Sequence, residues 1–220
     1  MKLFINTIIV FFFCTSAIFG QKNVKKNYTV DSFNKMELTG GYHIVLTQGN
    51  QYDVYVEGKQ KDIDKLKVSV KNNTLIINNQ EEDDNSKNSN KTNLTVYITF
   101  ENLEKMECAI AGNIENEGLM KFNNFDIDYT GVGKLKLNLE CTTIHVDMTG
   151  VGSVELSGKG QNAQFSGTGV GSFDARKFIA RDLEADWTGI GNMKVNAYNK
   201  CVVTSSGIGN VKNYNNMEEN

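Results

Sequence analysis

Asp128-Tyr129-Thr130-Gly131-Val132-Gly133-Lys134-Leu135-Lys136-Leu137 and Asp147-Met148-Thr149-Gly150-Val151-Gly152-Ser153-Val154-Glu155-Leu156 lie 19 residues apart and alternate small, apolar and polar residues in the same order. Their central phrase returns as Thr168-Gly169-Val170-Gly171, Thr188-Gly189-Ile190-Gly191 and Ser206-Gly207-Ile208-Gly209. A degenerate copy, Ala111-Gly112-Asn113-Ile114, precedes them. From Gly112 onward the first glycines are spaced 19, 19, 19, 20 and 18 residues apart. A period of this length marks stacked units, each too small to bury a core alone.

Alignment on the first glycine sorts the flanks into faces. Six residues before it stand Met106, Phe125, Ile144, Ala163, Leu183 and Cys201; four before stand Cys108, Ile127, Val146, Phe165, Ala185 and Val203. Two before, Ile110, Tyr129, Met148, Gly167, Trp187 and Ser205 extend the same face, with large residues in most rungs, and beyond the turn Leu135, Val154, Phe173, Met193 and Val211 form a further apolar column. Because strand side chains alternate, these columns face inward and the residues between them face out. The expected unit is a strand, a tight glycine corner, a second strand and a variable return. The corner glycines are Gly112, Gly131, Gly133, Gly150, Gly152, Gly169, Gly171, Gly189, Gly191, Gly207 and Gly209, where a β-carbon would be penalised. Threonine is left to form an outer hydroxyl ladder, and Val or Ile to plug the corner. The simplest architecture on this reading is all-β, a right-handed parallel β-helix (β-solenoid) with rungs of about 19 residues.

Working outward, residues 28–108 are rich in short strand patterns, including Met36 to Leu46, Tyr52 to Val56, Leu66 to Val70 and Leu94 to Phe100. Lys59 to Leu66 fits one helical turn. Residues 78–93 (NNQEEDDNSKNSNKTN) carry no apolar anchor and read as a mobile surface insertion. The expected organisation is one β-helix domain over 28–216, irregular to 108 and regular over 109–213, after a polar lead at 21–27 and before a polar tail at 217–220. Met1 to Gly20 reads as a secretory signal, with Lys2, the apolar run Ile8 to Phe13 and the small-residue exit Ala17-Ile18-Phe19-Gly20. Lipidation at Cys14 fits poorly, because Phe11-Phe12-Phe13 lacks a small residue before the cysteine. Export follows, to the periplasm, the outer membrane or the exterior. No later segment is apolar enough to span a membrane.

Removal of residues 1–20 takes away one cation, Lys2, and leaves 22 cationic against 26 acidic residues. Mild acidity without a basic patch argues against nucleic acid. Proline is absent, which keeps every backbone donor available to strand ladders. Cys108, Cys141 and Cys201 read as small buried hydrophobes. Two histidines, His43 and His145, exclude a histidine-rich metal site.

The chain resembles the bacterial "putative auto-transporter adhesin" family with its head GIN domain. The residues that carry the likeness are Leu38-Thr39-Gly40-Gly41-Tyr42-His43-Ile44-Val45-Leu46, Gln48-Gly49, Tyr52 to Gly58, Leu75-Ile76-Ile77 and the Gly-Ile-Gly-Asn phrases at Gly189 and Gly207. The resemblance covers nearly all of the chain after the signal and implies a β-helix on an exported protein, with adhesion as its role. It supplies no catalytic residues.

The Gly-x-Gly phrases do not open helices and so are not phosphate loops. They also lack the aspartate of calcium-binding β-roll repeats, since Leu135, Val154, Phe173, Met193 and Val211 occupy that place. An outward column of Ala109, Asp128, Asp147, Ser166, Asp186 and Thr204 lies beside Glu107, Asp126, His145, Gln164, Glu184 and Val202. Asp126, Asp128 and Asp147 are the candidate oxygen ligands for a hard cation. A solvated acidic face capped by threonine hydroxyls is the plainer reading and carries more weight. Paired carboxylates also invite comparison with glycoside hydrolysis, but the only arginines, Arg176 and Arg181, sit in the return between rungs. Tyr129 and Trp187 fall in an inward phase; Tyr198 and Tyr214 are the better platforms for a sugar. The expected function is an exported, non-catalytic module for adhesion, without a cofactor, whose partner is a surface glycan or an envelope protein. The alternatives are an envelope structural or protein-interaction module and a carbohydrate-active enzyme.

Overall fold

The computed structural model describes residues 23–79 and 93–215. The signal at 1–20 with Cys14, residues 80–92 of the insertion and the tail at 217–220 lie outside the described residues. The chain opens with strands β1 (Val24–Tyr28), β2 (Lys35–Gly40), β3 (His43–Gln48) and β4 (Asp53–Gly58), then a short helix α1 (Gln60–Ile63). Strands β5 (Leu66–Lys71), β6 (Thr74–Asn79), β7 (Thr95–Phe100), β8 (Lys105–Ala111) and β9 (Ile114–Glu117) follow. A continuous strand β10 (Met120–Val195), then β11 (Ala197–Ile208) and β12 (Val211–Asn213), complete it. The expected polar lead therefore contains β1, which pairs with β4.

The fold is all-β, but it is not the uniform right-handed parallel β-helix expected from the repeat. One twelve-stranded sheet, in the order β1-β4-β7-β3-β9-β10-β8-β2-β6-β5 with β11 and β12 on β10, mixes both pairing directions and curls into a nearly closed barrel. Pairs β1–β4, β4–β7 and β5–β6 are antiparallel. The physical reason lies in the first half, where the glycine repeat does not reach. Between β5 and β6 the chain reverses through Asn72 and Asn73, both at positive φ (50° and 59°), a turn that asparagine tolerates and that returns the chain antiparallel.

Parallel stacking does hold along the glycine phrases. An added β-carbon on Gly150 would fall 2.1 Å from the Gly131 carbonyl oxygen, and one on Gly169 would fall 2.0 Å from that of Gly150. Backbone thus lies directly on backbone at the corner, and the ladder continues through it. The first copy is out of step with the sequence alignment. Gly133, not Gly131, stacks on Gly112, while Gly131 stacks on Ile110. The strand register agrees: Ile127 lies opposite Met106, Tyr129 opposite Cys108 and Leu135 opposite Ile114.

Inside the barrel the apolar columns form one continuous core. Ile127, Val146, Leu135, Val154, Phe173 and Met193 are fully buried. Trp187 fits because Gly167 on the neighbouring rung makes room, a β-carbon there lying 2.4 Å from its ring. At the far end Val203 belongs to the same column but is 43% exposed, since among the described residues no strand covers β11 on its outer side. Among the described residues, no helix is long and apolar enough to cross a membrane.

Candidate functional site

The outward face of the rungs gathers the residues singled out by the repeat, with the first rung corrected by two positions. Glu37 lies opposite Glu107, and Glu107 opposite Asp128. The stacked glycines carry the column through Asp147, Ser166 and Asp186, and Asp186 lies opposite Thr204. Stacked carboxylates at strand spacing repel by a few tenths of a kcal/mol to about 1 kcal/mol each unless relieved.

The protein supplies that relief itself. The Lys105 ammonium sits 2.6 Å from Glu107 Oε1 and 3.1 Å from Asp128 Oδ2. Hydrogen bonds to these two carboxylates hold Lys105 well above the usual lysine range. Farther along, Ser166 separates Asp147 from Asp186, and the Thr204 hydroxyl donates to Asp186 Oδ2. Asp126 lies opposite Lys105 in the register and Asp128 is paired with the same lysine, while Asp147 stands one rung farther along the stacked corners. All three are half-buried on the outer face. Among the described residues no group of three His, Cys, Asp or Glu is placed to hold a metal ion.

The corner valines and isoleucines do not plug the corner. Val132, Val151, Val170, Ile190 and Ile208 point out from its apex and are 58%, 51%, 47%, 52% and 71% exposed. With about 4.8 Å between rungs, they form an aliphatic ridge about 19 Å long. Thr130, Thr149, Thr168, Thr188 and Ser206 run beside it, also exposed. The ridge exists because each corner presents its branched residue at the same phase, over glycines that allow the backbones to touch.

Tyr129 and Trp187 are buried, each 1% exposed. Tyr198 is 46% exposed, whereas Tyr214 is half-buried with Arg176 and Lys212 over its ring at 5.5 Å and 4.8 Å. A further tyrosine pair missed in the sequence, Tyr55 and Tyr97, stacks at 4.3 Å, and Lys25 covers the Tyr55 ring at 3.4 Å. Cys108 is buried, but Cys141 and Cys201 are only half-buried, and all three thiols are free. Burial raises each of them, Cys141 to about 12.

Sequence reading also missed a concavity at a different corner, where Phe33, Asn34, Tyr52, Asn73, Glu104 and Phe122 surround a hollow of about 830 Å³. Its residues come from four connections and from the start of β10, and only the strand register brings them together. No simple motif announces it.

The geometry defines an all-β scaffold with a repeated outer face. The chain belongs to the family described as "Putative auto-transporter adhesin, head GIN domain", which matches residues 32–216. A crystal structure of a "putative adhesin" from Bacteroides fragilis is similar, with 27% identity and a TM-score of 0.77 over 88% of this chain and 97% of that one. A "putative lipid binding protein" from Parabacteroides distasonis shares the fold at 14% identity and a TM-score of 0.60, over 88% of this chain and 98% of that one. A "putative adhesin" from the same species does so at 16% and 0.56, with the same coverage of 88% and 98%. No curated protein matches the chain.

Proposed function

We propose that the chain is an exported, non-catalytic adhesion module that holds a surface glycan or an envelope protein against the outer face of its rungs. The observation that carries this reading is the exposed ridge of Val132, Val151, Val170, Ile190 and Ile208. A repeated apolar line beside hydroxyls suits a broad contact with a large partner. Membership in an adhesin family supports both the role and a location outside the cytoplasm. In the acidic column Lys105 pairs with Glu107 and Asp128, and the Thr204 hydroxyl donates to Asp186, which supports a role without catalysis.

The test is binding of the purified chain to immobilised envelope fragments, before and after protease or periodate treatment. Binding is expected to fall at least tenfold in Val151→Asp and Ile190→Asp. Protease sensitivity identifies a protein partner and periodate sensitivity a glycan. Undiminished binding by both variants overturns the reading.

A further inference from the structure

We propose that the chain carries a binding track for a neutral, linear oligosaccharide along the stacked corners that begin at Asn34 and run to Tyr198. The track lies apart from the aliphatic ridge, and its test does not depend on that ridge. It consists of the hollow of about 830 Å³ and a second of about 440 Å³, which share Lys121 and Phe122. Because successive rungs advance by about 4.8 Å, a track crossing several of them fits an extended ligand better than a single ring.

Its walls are preorganised. The Asn73 carbonyl accepts from the Asn34 amide at 2.9 Å, the Asn34 carbonyl from the Glu104 amide at 2.8 Å, and the Glu104 carbonyl from the Asp126 amide at 2.9 Å. Lys121 is clamped on both backbone groups by Gln48, whose Oε1 accepts from Lys121 N at 2.6 Å and whose Nε2 donates to Lys121 O at 2.9 Å. A ligand meeting this surface orders little of it, which favours affinity.

The chemistry matches a sugar. The half-buried Tyr52 lies edge to face with the core residue Phe33, ring centroids 5.0 Å apart, and the half-buried Phe122 stacks on the core residue Phe125 at 4.2 Å, so Tyr52 and Phe122 are the rings that reach the hollow. At the far end Tyr198 is 46% exposed beside Ile179. Aromatic surfaces alternate with the amides of Asn34, Asn73, Asn102, Asn123 and Asn124. An amide both donates and accepts, as a sugar hydroxyl does.

Charge along the track is balanced, and this selects among sugars. Glu140 lies 4.0 Å from Lys121 and 3.2 Å from Lys159, while Glu104 lines the same hollow as Lys121. With its lysines answered by carboxylates, the track offers no excess of positive charge to a polyuronate. A neutral chain of hexoses leaves these ion pairs in place.

The experiment is calorimetry of the full chain with hexamers of β-1,4-linked glucose, β-1,4-linked mannose and α-1,4-linked glucose, beside a hexamer of galacturonic acid and an unstructured peptide. At least one neutral hexamer is expected to bind, and more tightly than its trimer. Tyr198→Ala and Asn102→Ala alter exposed side chains, and each is expected to weaken binding at least tenfold with the melting temperature unchanged; Val151→Asp on the ridge is expected to leave it intact. The proposal is overturned if no neutral hexamer binds, if only the galacturonate or the peptide binds, or if both track variants bind as the parent does.

Discussion

Gly169→Ala tests whether the glycine corners exist for backbone contact. The residue has φ of +136°, and a β-carbon on it would lie 2.0 Å from the Gly150 carbonyl oxygen and 3.0 Å from the carbonyl carbon. Two costs follow. The torsion itself disfavours any side chain, by roughly 1–3 kcal/mol. Moving the β-carbon to ordinary contact then requires the two rungs to separate by more than 1 Å, which weakens one or two ladder hydrogen bonds worth about 0.5–1.5 kcal/mol each. The sum is about 1.5–6 kcal/mol, or a fall of roughly 3–24 °C in melting temperature for a domain of this size. Gly118→Ala is the control, because Gly118 also has positive φ (+72°) yet nothing lies within 4 Å of its β-carbon position. It should lose only the torsional part, about 1–2 kcal/mol. The single, buried Trp187 provides the probe, since its emission shifts to longer wavelength on unfolding in urea. If Gly169→Ala costs no more than Gly118→Ala, close backbone approach is not what the corners require.

Trp187→Ala should destabilise the barrel by about 3–5 kcal/mol in urea unfolding followed by circular dichroism, because it empties a site shaped around Gly167. Asp174 is held below the usual carboxylate range, chiefly by the Arg176 side chain, which approaches it to 2.6 Å. A lowered folded value contributes stability that is present above the unfolded value of about 3.9 and is lost as pH falls through the folded value. Asp174→Asn should therefore cost at most about 1 kcal/mol near neutrality, with the difference from the parent vanishing in acid; an unchanged difference at low pH would refute the assignment. Thiol labelling at pH 8 should be slow at all three cysteines and slowest at Cys108, with rapid reaction only after unfolding, because burial raises each thiol.

The alternation of apolar and polar residues disclosed the inward columns of the second half, since a strand with one buried face has little freedom in which residues it hides. Two things escaped it. The first was pairing direction before the repeat, where two adjacent asparagines at positive φ turn the chain back; a repeat read from residues after Gly112 carries no information about them. The second was the register of the first copy. Matching glycine to glycine puts Ile114 under Gly133, whereas the observed register sets Ile114 against Leu135, Lys105 against Asp126 and Glu115 against Lys136. Apolar and opposite-charge pairs across the ladder were the available signal, and the glycine spacing concealed it. Of the outer face, the acidic column was legible, but Glu37 and Glu107 joined it only through the corrected register. The amide-lined track was not legible, because its residues come partly from connections with unrelated sequences and partly from stretches of β10 and β11 outside the glycine phrases.

The ridge admits a purely structural explanation that exposure alone does not answer. Like β-branched residues on neighbouring strands support one another by about 0.2–1 kcal/mol per pair, and Val151 and Val170, 51% and 47% exposed, stand at the same phase of neighbouring rungs. Threonine would serve that purpose as well, being branched at the same carbon and suited to strands. The beside-lying column at Thr130, Thr149, Thr168 and Thr188 already uses it. Keeping valine and isoleucine at five successive apices therefore places about half-exposed hydrocarbon where stability does not demand it. Replacing Val132, Val151, Val170 and Ile190 together by threonine separates the two roles. Each exposed replacement should alter stability by no more than about 0.5 kcal/mol, so the chain stays folded, while attachment to envelope fragments is lost. A variant that melts early and still attaches would make the ridge a structural ladder and nothing more.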